Sequence, residues 1–216
     1  MATDSYGQGF QVAALTDPPN AQTLATNLAA MAGQTVMRFT NAAARAAAIT
    51  SPVAGMHAYL VTEKRLTYYD GSAWVIQNTN AFVYASATQS VLNNTATVIN
   101  INSAIVDDTA GLNVAGHYWL TPMAGVYRMT AMVSWVGSGG GGWRSLWLNN
   151  NGVQIVGSQG GSVGGTVGTT QERTCVATLA AGRQISLVAI QQSGSALSTD
   201  LPGNVAGSIE FEFLHA

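Results

Sequence analysis

Charge is what this chain has least of. Charged residues occupy 8% of its 216 positions, against about 25% in an ordinary globular protein. A free surface has few other means of staying in solution, so the scarcity implies that partner chains cover much of it. Monomers seldom expose large apolar patches, and low charge with high apolar content marks obligate interfaces. A homo-oligomer is the expected state. The formal net charge of −2 gives no basic footprint for nucleic acid, and no polybasic cluster or basic amphipathic helix offers itself to a membrane surface. Neither partner is expected.

Cysteine is nearly as scarce. Cys175 is the only one, which rules out an intrachain disulfide and leaves the redox compartment open. It alternates with Arg173, Ala177 and Leu179 and reads as a buried structural thiol. No apolar run reaches the length of about 18 residues that a membrane span requires. The N-terminal MATDSYGQGF has neither a basic nor an apolar signal region, so no cleaved export signal is expected. Without export, the sequon Asn93-Asn94-Thr95 carries no weight. His57, His117 and His215 fall in separate segments with no zinc-ligand spacing, and read as hydrogen-bonded structural residues.

What the chain has instead is alternation. Residues 120–136, LTPMAGVYRMTAMVSWV, open with a turn and continue as a period-two pattern. Tyr127, Met129, Ala131, Val133 and Trp135 share one face, and Val126, Arg128, Thr130 and Ser134 the other. That pattern predicts a strand half buried in a sheet. Its second face also carries Val126, Met132 and Val136, too apolar for free solvation, and these are the candidate contacts to a neighbouring chain. Further strands are predicted at 81–87, 97–101, 118–121, 143–148, 152–156, 172–179, 184–191 and 207–214. In the last, Ile209, Phe211 and Phe213 face in, and Glu210 and Glu212 face out. No helical pattern interrupts the series, so residues 81–216 predict an all-β sandwich.

Upstream the pattern differs. Residues 1–20 read as an irregular arm with a breaker at Asp17-Pro18-Pro19. Asn20 is placed to cap a helix, AQTLATNLAAMA, whose stripe Leu24, Leu28 and Met31 packs either on its own domain or on symmetry mates, and Gly33 stops it. From residue 34 come a short strand, a helical NAAARAAAI ended by Pro52, and strands over 56–62, 65–69 and 73–76 joined by Glu63-Lys64 and Asp70-Gly71 turns. This β-meander is too small to stand alone. The chain thus divides into an arm and helix (1–33), a small β module (34–80) and the sandwich (81–216).

Some segments imitate chemical motifs. GGSVG at 160–164 has the nucleophile-elbow pattern around Ser162, but such an elbow needs a following helix, and the serine reads as part of a flexible or interface loop. GSGGGG at 137–142 has dinucleotide spacing, yet the residues after it read as a strand where the pyrophosphate needs a helix N-terminus. The glycine-rich stretches 137–142 and 157–168 therefore read as adaptable loops on a rigid scaffold, where binding residues tend to sit. The candidate binding residues are Trp143, Arg144, Ser162 and Thr166, with the Trp143 indole a stacking platform for a sugar ring. No metal or other cofactor is expected; Asp107-Asp108 is the one acidic pair that, repeated by symmetry, offers oxygen ligands to calcium. Glycan hydrolysis needs paired carboxylates, and the sandwich offers only Asp107, Asp108, Asp200, Glu172, Glu210 and Glu212, so no enzyme is expected.

Two resemblances add to this. AARAAAITSPVAGMHAYLVTEKRLTYYDGSAW has an arginine-bearing helix, a Pro-x-x-Gly-Met turn and a closing aromatic-Asp-Gly-x-x-Trp. Residues 34–76 in this order resemble the small module of minor structural and tail-fibre proteins of bacteriophages. Residues 81–216 resemble the C1q and tumour-necrosis-factor superfamily head, through Asn93-Asn94-Thr95, the PMAGVY turn at 122–127, Asn151-Gly152, LAAGRQI at 179–185 and Gln192-Ser193-Gly194. Arg183 departs from that pattern, which more often has an acid there. The first resemblance implies a virion protein, made in the host cytoplasm and joined to other virion proteins through its N-terminal arm. The second implies a jelly-roll homotrimer. Together they imply a fibre or adhesin whose head binds a host-surface glycan or protein. The alternatives are a capsid decoration or head-fibre protein and, third, a glycan depolymerase.

Overall fold

The structure is a computed structural model and describes residues 2–3, 11–12, 20–32, 35–77, 79–137, 142–163 and 167–215. The chain divides into two compact units, Met1–Gln77 and Asn78–Ala216.

In the first unit, β1 (Ala2–Thr3) pairs antiparallel with β2 (Gln11–Val12), within the stretch expected to be irregular. Helix α1 (Ala21–Ala32) starts where the sequence says it should: Asn20 Oδ1 accepts the Thr23 N–H at 3.1 Å, satisfying a donor that the first turn leaves open. Strand β3 (Val36–Phe39) leads into α2 (Ala42–Ala48), capped by Asn41 through the Ala44 N–H at 2.8 Å. Strands β4 (His57–Leu60), β5 (Arg65–Tyr69) and β6 (Trp74–Ile76) form the expected meander. β3 adds to it in parallel with β4, so α2 is a crossover helix. The Asp70 turn is held by its own carboxylate: Oδ1 accepts from Ser72 N, Ser72 Oγ and Ala73 N, and these bonds hold its pKa below the usual range.

So small a sheet has little apolar core, and Arg45 takes the centre. It is 8% exposed, its guanidinium carbon lies 4.2 Å from the Trp74 ring centroid, and Nη1 donates to Thr67 Oγ1 at 2.8 Å. Thr67 in turn donates to the Ala58 carbonyl. Burial lowers the Arg45 pKa, and the charge of Glu63 opposes this. A planar cation that stacks and donates at once suits this place, and lysine does not. Arg45→Lys should therefore lower hydrogen-exchange protection across β4 and β5 by about tenfold; unchanged protection would reduce Arg45 to a passive filler.

The second unit begins with β7 (Asn80–Ala85), β8 (Ser90–Val91), β9 (Thr97–Val98), β10 (Ser103–Asp107), β11 (Leu112–Asn113) and β12 (Tyr118–Leu120). The long strands follow: β13 (Gly125–Trp135), β14 (Trp143–Asn150), β15 (Val153–Gln154), β16 (Gly160–Val163), β17 (Thr169–Leu179), β18 (Gln184–Gln192), β19 (Leu197–Ser198) and β20 (Gly207–His215). They form two large antiparallel sheets, and β8 pairs with β19 apart from them. The first has the order β10-β7-β20-β13-β17; the second runs β11-β12-β18-β14-β15, with β16 also on β14 and β9 on β18. β12 to β13, β13 to β14, β17 to β18 and β18 to β20 each change sheet. That exchange is the jelly-roll connection, and it leaves the second unit a mainly β jelly roll.

The core lies between the sheets. Tyr127, Met129, Ala131, Val133 and Trp135 are all fully buried, as the alternation requires, and Trp119 stacks on Phe211 with centroids 4.1 Å apart. Cys175 is buried there as well, and burial pushes its thiol pKa up against the nearby charge of Arg173. Gly125 permits the entry of β13: its φ is +152°, and a Cβ there would stand 2.5 Å from Phe213 and 2.6 Å from the His215 carbonyl. The Tyr127 hydroxyl donates to the Met123 carbonyl at 2.9 Å, tying the preceding turn to the strand.

Burial pushes the Tyr127 phenol up to about 12. The folded head keeps this proton where the unfolded chain, titrating near 10, has lost it. The associated stability is whole below about pH 10 and is lost as pH rises towards 12, on the order of 2 kcal/mol. Denaturant midpoints measured across that range should fall less steeply for Tyr127→Phe than for the natural chain, and equal slopes would dissociate Tyr127 from the effect.

Candidate interaction surfaces of the head

The residues proposed for binding separate once the sheets form. Trp143, at the start of β14, is 40% exposed on the outer face of the second sheet. Arg144, next along the strand, faces the other way and is 1% exposed. Its Nη1 donates to Thr169 Oγ1 at 2.7 Å, its carbonyl accepts from Gln171 Nε2 at 2.7 Å, and Gln171 Oε1 accepts the Trp135 indole N–H at 2.9 Å. Burial lowers the Arg144 pKa. Arg144 is thus not a surface loop residue: strand parity turns it between the sheets, where it joins β14 to β17 through polar side chains.

Ser162 is not in a loop either. Gly160–Val163 is a strand, in register with Trp143–Leu146, and Ser162 pairs opposite Arg144. Glycine-rich sequence concealed it, because strand propensity is low there while the backbone hydrogen bonds to β14 are available. Thr166 and residues 138–141 lie outside the described residues. The 137–142 segment does feed a strand, and Gly142, at φ +89°, sits where any side chain would collide with the Gln192 carbonyl.

The acidic pair is engaged in loop closure. Asp107 Oδ1 accepts from Gly111 N at 3.0 Å and the Trp119 indole N–H at 3.1 Å, and Oδ2 accepts from Leu112 N at 2.8 Å. Asp108 Oδ2 accepts from Asn80 N at 3.0 Å. The pair fastens the β10–β11 turn to the core and to β7. Among the described residues no three or more His, Cys, Asp or Glu gather as metal ligands.

The outer face of the first sheet is mixed. Register places Val126 and Met132 there, both partly exposed, beside Val176 at 55% and Val106 at 42% exposure. Phe82 and Tyr84 project on the same face, with centroids 6.3 Å apart, while Ala81, Val83 and Ala85 turn inward. The aromatic members of the AFVYA alternation are therefore the outer ones. Across from Phe211 and Ile209 the inner face has room only for Ala81 and Val83. Arg128 pairs with Glu212 at 2.8 Å in the middle of this surface. Val136, proposed with Val126 and Met132, lies one residue past β13 and packs on the head's own core, so it does not belong to this face.

The outer face of the second sheet is different in kind. Trp147 pairs across β18 with Val188, and Val188 with Val98 of β9; Ser145 pairs with Ile190 and with Gly161, and Trp143 with Gln192. The Trp147 indole N–H donates to Asn149 Oδ1 at 3.0 Å.

No family model matches the chain, and no curated protein matches it. Among solved structures it is similar to the globular domain of zebrafish complement 1qA protein, at 13% identity over 63% of this chain and 96% of that one, with a TM-score of 0.42. It is also similar to Eiger TNF from S. frugiperda, at 12% identity over 63% and 92%, TM-score 0.46. Murine APRIL gives 12% identity over 64% and 100%, TM-score 0.47. The jelly-roll assignment stands on the strand order and registers above.

Because Arg144 is a buried cation within a polar side-chain network, Arg144→Ala should destabilise the head by about 1–3 kcal/mol, read from chemical denaturation. A variant that unfolds with the natural chain would return Arg144 to the list of surface residues.

Proposed function

We propose that this chain is the subunit of a homotrimeric bacteriophage virion protein, a fibre or adhesin. In this reading the jelly-roll head binds the host surface, and the N-terminal residues join other virion proteins. The observation that carries the oligomer is the apolar surface each unit leaves uncovered. On α1, Leu24, Leu28 and Met31 are 61%, 58% and 45% exposed. With Ala21 they keep the alternating three-and-four spacing of a coiled-coil seam. On the head, Val106, Phe82, Tyr84, Met132, Val126 and Val176 share one outer face whose central charges are paired. Apolar patches on both units of a chain this poor in charge favour self-association over solvent.

Threefold symmetry is supported by the resemblance of residues 81–216 to C1q and tumour-necrosis-factor heads, and the virion assignment by that of residues 34–76 to phage structural modules. Trimerisation presents three heads together, so weak single-site contacts add up to firm adhesion. The particle is the final location, and the head acts by binding.

Light scattering on the full chain should give the mass of three subunits. Leu28→Glu combined with Met132→Glu should shift the mass towards one subunit; a natural chain that is already monomeric would sink the proposal. Immunogold labelling of the phage particle should mark the tail, whereas label on capsid faces or vertices would replace adhesion by capsid decoration.

A further inference from the structure

We propose that the outer face of the second sheet is a binding platform for an uncharged oligosaccharide, centred on Trp143 and Trp147. The inference rests on the adhesion reading in one respect, that the trimer forms through the first sheet and leaves this face open.

The two indoles stand on the same side of one strand, four residues apart, hence about 13 Å along it. Between them Ser145 is buried, with the Gln159 amide bonded to its hydroxyl, and beside it across the β14–β16 pairing is Gly161, exposed and without a side chain. Two bulky aromatics thus flank a low strip, a spacing that suits a short run of sugar rings and exceeds a single one. A pyranose ring presents polarised C–H groups on its apolar face, and these meet the electron-rich face of an indole favourably. Its hydroxyl rim needs donors and acceptors, and amides border the strip. Gln159 Nε2 donates to Ser145 Oγ at 3.2 Å, Ser145 Oγ donates to the Gly160 carbonyl at 2.8 Å, and Gln154 Nε2 donates to Gln159 Oε1 at 3.3 Å. On the other side Gln192 is exposed opposite Trp143. The hydrogen bond from the Trp147 indole to Asn149 Oδ1 orients that ring before any ligand arrives, which reduces the ordering cost of binding.

The charge distribution selects the ligand class. None of the residues that register places on this face in β14, β18 and β9 carries a charge at neutral pH. An acidic glycan or a nucleic acid finds no cation there, and a basic peptide finds no carboxylate. The first sheet's outer face, by contrast, carries Arg128, Glu212, Glu210 and Glu172. A neutral, hydroxyl-rich ligand with apolar ring faces complements indoles, amides and hydroxyls without desolvating an ion.

The test uses the full-length protein with neutral gluco-, galacto- and manno-configured tetrasaccharides, an acidic galacturonic tetramer as control, and intact host cells. Binding is followed by titration calorimetry and by cell pull-down for the natural chain, Trp143→Ala and Trp147→Ala, with oligomer mass and circular dichroism as folding controls. At least one neutral tetrasaccharide should bind, and each variant should weaken it tenfold or more with unchanged mass and spectrum. If the variants lose their fold, Gly161→Trp, which fills the strip from the neighbouring strand, takes their place and should block binding. Binding of the acidic tetramer alone overturns the inference. Cells bound equally by the natural chain and the variants overturn it while adhesion stands. Neutral sugars bound but cells ignored would uphold the platform and remove the adhesion reading; neither bound would remove both.

Discussion

The head depends on one contact between its sheets, the stack of Trp119 from β12 on Phe211 from β20. The rings lie 4.1 Å apart and 24° from parallel, with Tyr127 edge-on to Trp119 at 6.3 Å and Phe213 edge-on to Tyr127 at 5.3 Å. Aromatic groups of this size carry much of a sandwich core and prefer such offset and edge arrangements. The indole N–H at the centre must still find an acceptor, and Asp107 supplies it. That one carboxylate also closes the β10–β11 turn. Core packing, the cross-sheet join and a surface turn are therefore a single connected arrangement.

With the bulky aromatics committed inward there, the neighbouring strand β7 has to contribute small side chains to the same layer. Ala81 and Ala85 turn in, and Phe82 and Tyr84 turn out onto the first sheet's outer face. The apolar outer surface that supports self-association is in this sense the complement of the core: volume filled from β20 displaces the aromatics of β7. The second sheet reaches a different balance. Its outer face keeps indoles, amides and hydroxyls with no ion among them, and its inner face keeps Arg144 and Gln191, buried polar groups that donate to Thr169 of β17 and to the Val91 carbonyl of β8. The head thus has on one side a mixed face, where apolar residues surround the Arg128–Glu212 pair and the carboxylates Glu172 and Glu210, and on the other a polar-aromatic face without charge.

The first unit solves a different problem with the same scarcity of charge. Its sheet is too small for a core of ordinary apolar residues, so one cation, Arg45, fills the space with its stem and stacks its head on Trp74. Burial of that cation is tolerated because Thr67 accepts a hydrogen bond and the ring face supplies negative potential. The exposed α1 stripe shows that local helix signals and burial are separate matters: Asn20 caps the helix, yet among the described residues Leu24 and Leu28 stay exposed.

The sequence by itself determined the elements whose signals are local. Period two at 126–136, the cap at Asn20, the Asp70-Gly71 turn and the inward set Ile209, Phe211 and Phe213 all follow from side-chain periodicity and backbone chemistry within a few residues. It also named Trp143 as an exposed aromatic. What depends on partners distant in the chain was decided only by the tertiary structure. Alternation defines two faces without saying which is buried, so Phe82 and Tyr84 could not be placed until β20 lay beside them. Val136 looked like part of the outer face because parity continues in sequence after the strand itself has ended. Arg144 was named a binding residue because it follows a glycine-rich loop, although its strand was expected, and Ser162 looked like a loop serine because glycines erase strand propensity. Both were fixed by hydrogen-bond register between strands, a long-range pairing that no local pattern encodes.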